Sequence, residues 1–196
     1  MRKVVMFNRV SVDGFYAGAD GNMDWFVTDH EVDKAIHEMM QPDTVLMGRV
    51  TYQLFESYWP NVAVDPNAPK EAQILANELN QMTKVVFSRT LKEVTWENSE
   101  LIKSNVLDEV RKLKQGRGAD IVIFGSGTIV QQLSDKGLVD EYLILVTPVI
   151  LGSGKSLFKD VNKMNLKLLQ TRDFTSGNVL LHYKTDKLEK EDAYDN

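Results

Sequence analysis

The stretch Ile121-Val122-Ile123-Phe124-Gly125-Ser126-Gly127-Thr128-Ile129 decides the fold. Its first four residues are apolar, the pattern of a central strand that is covered on both faces of a parallel sheet. A glycine-hydroxyl-glycine turn follows, and a helical pattern begins at once and runs to Gly137, which is suited to cap the helix C-terminus. Ligands of open α/β sheets bind where strands end and helices begin. The stretch therefore predicts a parallel α/β sheet and a place where backbone amides meet a phosphate.

Strand-length apolar runs alternate with helical patterns along the rest of the chain, which predicts an α/β fold. Predicted strands cover 3–8, 44–47, 84–87, 121–124, 140–147 and 178–185, and predicted helices cover 49–57, 68–80, 105–114 and 127–136. The last two strands are longer and alternate in polarity, as in a terminal antiparallel hairpin. A further helix begins at a capping box of Thr28 and Glu31, buries a face containing Val32 and Ile36, and stops at Pro42.

Composition limits the function classes. The chain has 196 residues, 43% apolar and 26% charged, which is typical of a soluble globular protein, and we predict one domain over 1–185 and a charged tail over 186–196. A net charge of -5 argues against a nucleic-acid partner. The absence of cysteine excludes disulfides and thiolate chemistry, and the three histidines lack metal-ligand spacing, so we predict no metal. With no apolar run of about 18 residues, we expect a cytoplasmic protein without a membrane partner.

Two further junctions carry polar groups. Gly48-Arg49 follows a buried strand, and Ser88-Arg89 follows another, which places guanidinium groups where they suit bidentate phosphate contact. A tight turn with a solvated arginine, or an ordinary surface loop, is the alternative for each. The segment 152–156 imitates the end of a phosphate-binding P-loop, but the leading glycine is replaced by Val149. A glycine turn that supports the sheet or a subunit contact is the better interpretation there.

Several ordered motifs resemble the dihydrofolate reductase-like superfamily, in the branch of the riboflavin-biosynthesis reductase C-terminal domain. The resemblance spans residues 1 to about 185 and is carried by 11–15 (SVDGF), 46–52 (LMGRVTY), 86–91 (VFSRTL), 125–128 (GSGT), and 137–142 (GLVDEY) through 148–154 (PVILGSG). It implies a central, mostly parallel twisted sheet with helices on both faces and a C-terminal antiparallel hairpin. It also implies a homodimer, because the region 146–151 and the glycine turn after it pair subunits in that family.

The resemblance further implies an NADPH site. By position in the motifs, one group of residues contacts the pyrophosphate and ribose, a second holds the adenosine 2′-phosphate, and a third cradles phosphates and flanks the nicotinamide. These groups are Gly48, Arg49 and Thr51; Ser88 and Arg89; and Gly125, Ser126, Gly127, Thr128 and Ile129. Two arginines at strand ends independently suit an extra phosphate, whereas NAD sites usually place an acid on the ribose.

Candidate proton donors are carboxyl groups near aromatic residues. We predict catalytic roles for Asp13 and Asp24, because a half-apolar cleft raises a carboxyl pKa as a general acid needs. Asp29 and Asp33, around the first helix, are weaker candidates, and Asp13 alternatively only fixes a turn before its glycine. Phe15, Trp25 and Phe26 are the predicted substrate wall.

The resemblance implies a reductase that transfers hydride from NADPH to a small heterocycle of the pterin or 5-amino-6-(5-phosphoribosylamino)uracil type. Val32 stands near the place of the pterin-binding acid of true dihydrofolate reductases. Phe124 stands where riboflavin reductases usually have an acid, so both departures leave the substrate open. One alternative is an NADPH-binding protein of the same fold without turnover, and another is a non-enzymatic assembly protein with no nucleotide affinity.

Overall fold

The computed structural model describes residues 1–27 and 29–186. These residues form ten strands and five helices. The strands are β1 Val4–Ser11, β2 Phe15–Ala17, β3 Thr44–Gly48, β4 Thr83–Phe87, β5 Ser99–Ile102, β6 Ile121–Phe124, β7 Glu141–Thr147, β8 Lys155–Ser156, β9 Leu166–Asp173 and β10 Val179–Thr185. The helices are α1 His30–Met39, α2 Arg49–Val64, α3 Lys70–Gln81, α4 Val106–Gln115 and α5 Gly127–Asp135.

Eight strands form one sheet in the order β5-β4-β3-β6-β1-β7-β10-β9. Neighbouring strands from β5 to β7 pair in parallel, while β10 pairs antiparallel with both β7 and β9. The mostly parallel α/β sheet and the C-terminal antiparallel hairpin are therefore confirmed. Among the residues that the structure describes, no helix is both long and apolar enough to cross a membrane.

Helices cover both faces of the sheet. One hydrophobic cluster joins alternate strand residues such as Val45 and Met47 to α1, α2 and α3. The other joins the residues between them, such as Leu46, to α4 and α5. Because successive side chains of a strand point to opposite faces, strands covered on both faces must be apolar throughout. This is the pattern that the central strands show.

Two predicted helix boundaries are wrong. The N-cap of α1 is Asp29, whose carboxylate accepts a hydrogen bond from the Glu31 amide at 2.9 Å, so a single aspartate caps the helix in place of the predicted capping box. Thr28 itself lies outside the described residues. Helix α2 continues to Val64 with Pro60 inside it, although proline removes a helical hydrogen bond. Trp59 packs edge-on against Phe55 and Tyr58, which supports the helix up to the proline.

The predicted cap at Gly137 is confirmed. Gly137 has a φ of +62°, and its amide donates to the Ser134 carbonyl at 3.0 Å. The Leu138 amide donates to the Leu133 carbonyl at 2.9 Å. This pair of bonds is a Schellman motif, which satisfies two carbonyls at the end of α5 and requires a left-handed residue at the glycine.

Lys84 is a fully buried cation on β4. Its ammonium group donates to the carbonyls of Leu79 at 2.6 Å, Asn80 at 3.0 Å and Met82 at 2.8 Å, which ties β4 to the C-terminal end of α3. It also lies 4.5 Å from the centre of the Trp96 ring. Burial lowers the pKa of Lys84 to about 8, against the opposing pull of Glu97. The folded protein therefore disfavours the charged form of a residue that it nevertheless uses as a helix cap.

We expect Lys84 to add to the stability of the fold as the pH rises from 8 to 10.5. In that window the lysine is still protonated in the unfolded chain and neutral in the folded one, so unfolding takes up a proton and becomes less favourable. The contribution is on the order of 3 kcal/mol over the whole window. Urea unfolding of the wild type and of Lys84→Met across this range measures the contribution as the difference between their pH profiles. The tyrosines titrate in both proteins, so their effect cancels in that difference. Parallel pH profiles would contradict the prediction.

Candidate cofactor and substrate site

The crevice between β3 and β6 lies at the carboxyl edge of the sheet, where two strand-to-helix turns meet. The Gly48 amide, at the end of β3, donates to the Ser126 hydroxyl at 3.0 Å. The Ser126 amide, between β6 and α5, donates to the Thr51 hydroxyl at 3.2 Å. The chain after β3 turns toward β4, and the chain after β6 crosses to β7, so the crevice is the point where strand order reverses. Open α/β sheets bind ligands at such a point.

Both helices at this crevice begin without a side-chain cap. The N-cap residues are Gly48 for α2 and Ser126 for α5, and neither gives its helix a side-chain hydrogen bond. Gly125 and Ser126 have φ values of +57° and +49°, which aims the first turn of α5 into the crevice. Uncapped amides at a positive helix end are donors for an anionic group. The glycine-serine-glycine turn therefore has the geometry that the sequence predicts for it.

Two arginines flank the same edge. Arg49 opens α2, is exposed, and reaches only the Gln53 side-chain oxygen at 3.2 Å. Arg89 is exposed just beyond β4, and the Ser88 hydroxyl beside it accepts from the amides of Thr90 and Leu91. Within the described ranges neither arginine forms an ion pair. Their charges are thus free for a phosphorylated ligand.

Strand β1 extends past its last pair with β6 beside the crevice, and we call this end of the strand, from Asn8 to Ser11, the step of β1. It pairs with β6 only over Val4–Phe7 but with β7 as far as Ser11, so β6 does not pair with it from Asn8 onward. The buried Asn8 side chain donates to the Gly125 carbonyl at 3.1 Å and joins this edge to the glycine turn. Phe7 and Phe124 meet edge to face, with ring centres 6.1 Å apart. The step therefore places an apolar wall beside unpaired backbone.

Asp13 is held by a turn rather than poised in a cleft. Its carboxylate accepts from the Ser11 hydroxyl at 2.6 Å and from the amides of Leu151 at 3.2 Å and Gly152 at 2.7 Å. The Ser11 bond, followed by the two amide bonds, lowers the pKa of Asp13. A general acid needs the opposite shift. These contacts favour the alternative in which Asp13 fixes the turn before Gly14.

The other three candidate acids differ in their surroundings. Asp24 is exposed in the loop before α1. Asp29 accepts from the Ser176 hydroxyl, which lowers its pKa, and caps α1. Asp33 lies on α1, 3.2 Å from the Arg9 guanidinium, and its pKa is raised by burial although the arginine acts against that shift. The surroundings of Asp33 therefore raise its pKa, whereas those of Asp13 and Asp29 lower theirs.

The predicted aromatic wall is divided. Trp25 and Phe26 stack edge to face at 4.6 Å, and the Arg9 guanidinium lies 5.6 Å from the centre of the Phe26 ring. Phe15 is in β2, where its Cβ and Cγ lie 3.0 Å from the place that a Cβ of Gly154 would take. Phe15 therefore packs on the glycine turn of 152–154, and the structure joins only Trp25 and Phe26.

Sequence reasoning did not identify Arg9 or Tyr16. The predicted first strand ends at residue 8, which left Arg9 outside it, whereas β1 continues to Ser11. Tyr16 lies across the start of α5, with ring atoms 2.6 Å from the place of a Cβ on Gly127. Polar and apolar residues alternate over 9–11, and this pattern of a continuing strand could have placed Arg9 in β1. Nothing local marks Tyr16.

Comparison with known proteins agrees with this geometry. The family model of the RibD C-terminal domain matches residues 2–180. The chain belongs to that family. It is 37% identical over 183 residues to YyaP of Bacillus subtilis (strain 168), an uncharacterised protein, covering 93% of this chain and 94% of YyaP.

Solved structures extend the comparison to the fold. A putative riboflavin biosynthesis protein from Shewanella sp. PV-4 superposes with a TM-score of 0.73 at 22% identity, covering 94% of this chain and 99% of that one. Dihydrofolate reductase from Enterococcus faecalis, complexed with NADP(H), superposes with a TM-score of 0.64 at 13% identity, covering 94% and 96%. The dihydrofolate reductase-like fold is confirmed, and the RibD family is of the reductase type.

We expect Gly127→Ala to destabilise the protein by about 1–3 kcal/mol, because its methyl group would overlap the Tyr16 ring. In a Tyr16→Ala background the same substitution should be neutral or stabilising, since alanine favours the helix. Urea unfolding of the four proteins measures the coupling. Gly48→Ala is the matched control, because its Cβ meets Ile129 at an ordinary 3.6 Å. Equal costs in both backgrounds would show that Tyr16 does not require this glycine.

Proposed function

We propose that the protein is an NADPH-dependent reductase that transfers hydride to a small planar heterocycle of the pterin or 5-amino-6-(5-phosphoribosylamino)uracil type. The observation that carries the proposal is the pair of uncapped helix starts at Gly48 and Ser126, joined to each other by hydrogen bonds and flanked by arginines that form no ion pair within the described residues. Such a site is organised before a ligand arrives, so little ordering is needed on binding. The nucleotide complex of the Enterococcus faecalis neighbour supports the cofactor.

Three groups of residues would bind different parts of the cofactor. Gly48, Arg49 and Thr51 would hold the pyrophosphate and ribose side, and Ser88 with Arg89 would hold the adenosine 2′-phosphate. Gly125, Ser126, Gly127, Thr128 and Ile129 would cradle phosphate and flank the nicotinamide, which supplies the hydride. Preference for NADPH would follow from Arg89, because its guanidinium gains more from the dianionic 2′-phosphate than from the hydroxyl that NADH has in its place.

The substrate would lie at the step of β1. Phe7 and Phe124 provide an apolar surface there, and Trp25 with Phe26 stands near Arg9. Asp33 is the carboxylate that we assign to the substrate side. Catalytic roles for Asp13 and Asp24 stay predictions, and the donors around Asp13 assign it more readily to positioning the turn over 150–154.

Titration with NADPH and then NADH tests the proposal. We expect micromolar NADPH binding and about tenfold weaker NADH binding, followed by quenching of tryptophan fluorescence. Arg89→Ala and Arg49→Ala should each weaken NADPH binding by about tenfold, since each removes a charged hydrogen bond to phosphate. Arg117→Ala, an exposed arginine in the loop before β6, is the matched control and should bind normally.

The outcomes of this titration separate the candidate functions. Binding with turnover of a pterin or aminouracil supports the reductase. Binding without turnover of any such heterocycle supports the alternative, an NADPH-binding protein of the same fold. No binding of either nucleotide would overturn both and favour an assembly protein.

We also propose a cytoplasmic homodimer formed through 146–151 and the glycine turn after it. Ile150 in that region is 73% exposed and Phe158 just beyond it is 42% exposed, so an apolar surface is available for a second copy. Sedimentation at micromolar concentration should give about twice the 22.3 kDa chain mass. A wild-type particle of chain mass would count against the dimer. The Ile150→Lys variant, in contrast, should sediment at the chain mass.

A further inference from the structure

The phenol of Tyr16 lies at the crevice, outside the three groups of residues proposed to bind the cofactor. Its ring edge covers the first residue of α5: two ring carbons are 2.6 Å, and the hydroxyl oxygen is 2.7 Å, from the place that a Cβ of Gly127 would take. Within residues 1–27 and 29–186 the hydroxyl makes no hydrogen bond, and burial alone acts on its pKa. Tyr16 therefore has a free O–H donor beside the start of a helix.

Two backbone amides next to this hydroxyl are also without a partner. The amides of Ile129 and Val130 both donate to the Ser126 carbonyl, at 2.8 Å and 3.0 Å. In the described part of the chain, the amides of Gly127 and Thr128 donate to no other atom, and α5 has no side-chain cap. The helix dipole adds partial positive charge at this end. Two N–H donors and one O–H donor therefore lie together at the start of α5.

The chain fixes the position of Tyr16 before any ligand arrives. Strand β2 pairs with β8, and the Leu157 amide donates to the Gly14 carbonyl at 3.3 Å. Residues alternate along a strand, so the Tyr16 ring points away from Phe15 and packs against the hydrophobic cluster that includes α5. A ring that is already held loses little freedom on binding, so a hydrogen bond from its hydroxyl adds more to affinity.

We propose that the Tyr16 hydroxyl donates a hydrogen bond to the phosphate on the nicotinamide side of the NADPH pyrophosphate, together with the amides of Gly127 and Thr128. This inference rests on the proposed function and adds a residue to its cofactor site. The order β4-β3-β6-β1 selects the phosphate. Arg89 follows β4, whereas Tyr16 reaches the glycine turn of β6 from the segment after β1. With the 2′-phosphate at Arg89, the nicotinamide half lies on the Tyr16 side.

The chemistry of the two groups is complementary. Burial raises the pKa of Tyr16, so the phenol is protonated at neutral pH and can donate. The oxygens of a pyrophosphate are negatively charged and only accept hydrogen bonds. A bond from a neutral O–H to an anion is stronger than one to a neutral acceptor. The hydroxyl therefore favours a phosphate over the other polar groups of the cofactor.

Three ligands test the proposal by calorimetric titration of the wild type and of Tyr16→Phe: NADPH, 2′,5′-ADP and 2′-phospho-ADP. The bisphosphate 2′,5′-ADP ends before the second phosphate of the pyrophosphate, and 2′-phospho-ADP includes it. We expect Tyr16→Phe to weaken binding of NADPH and of 2′-phospho-ADP by about tenfold, because only a hydrogen bond to an anion is removed. Binding of 2′,5′-ADP should change by less than about twofold.

Two variants serve as controls. Tyr58→Phe removes the hydroxyl of a tyrosine that is 55% exposed on α2, and it should bind all three ligands as the wild type does. Arg89→Ala should weaken all three, because each carries the 2′-phosphate. Tyr16→Phe keeps the ring against Gly127, so its free energy of unfolding in urea should equal that of the wild type.

The outcomes separate this proposal from the proposed function. Equal NADPH binding by the wild type and Tyr16→Phe would overturn the role of Tyr16 and leave the reductase standing. Weaker binding of NADPH alone would place the hydroxyl on the ribose or nicotinamide and overturn the phosphate assignment. Equal weakening of all three ligands would show that Tyr16 only supports the fold of the site. A wild type that binds none of them would overturn both proposals.

Discussion

The hydrogen bond between the Gly48 amide and the Ser126 hydroxyl is the constraint on which the site depends. It joins the turn after β3 to the turn after β6, so the starts of α2 and α5 keep a fixed relation. Ser126 reaches this position in a left-handed conformation, which is costly for a residue with a side chain. The bonds to Gly48 and Thr51 offset that cost. The serine hydroxyl consequently joins two turns instead of capping its own helix, so α5 begins without a side-chain cap.

The parts of the fold that the sequence predicts are those governed by local pattern. Central strands such as 121–124 are apolar throughout because helices cover both faces, and that is visible without knowing the neighbours. Strand β9 was not predicted, since seven of its eight residues are exposed and it is recognisable only from its pairing with β10. Strands β2 and β8 are three and two residues long and exist only because distant segments meet.

The same difference between local patterns and contacts of distant segments decides which site residues the sequence could predict. Glycine turns after strands are local signals, and the residues of 48–51 and 125–129 could be chosen from them. The state of a carboxyl group is not local. Asp13 next to a glycine and Asp33 inside a helix give no sequence sign that one is surrounded by donors and the other faces a single buried arginine. The pKa of Asp13 falls because it accepts from the Ser11 hydroxyl and from the distant amides of Gly152 and Leu151, whereas burial raises the pKa of Asp33 although Arg9 acts against that shift.

Charge is distributed unevenly along the carboxyl edge, and this bears on how a ligand is oriented. Arg49 and Arg89 are exposed and unpaired within the described residues, whereas Arg9 is mostly buried and compensated by Asp33. Although the protein has a net charge of -5, these two guanidinium groups give the ends of β3 and β4 a local positive potential that attracts anions. The compensated pair leaves this end of β1 polar but without net charge. Under the proposed function, this distribution of charge would orient a dinucleotide with its phosphates at β3 and β4 and its uncharged nicotinamide end toward β1.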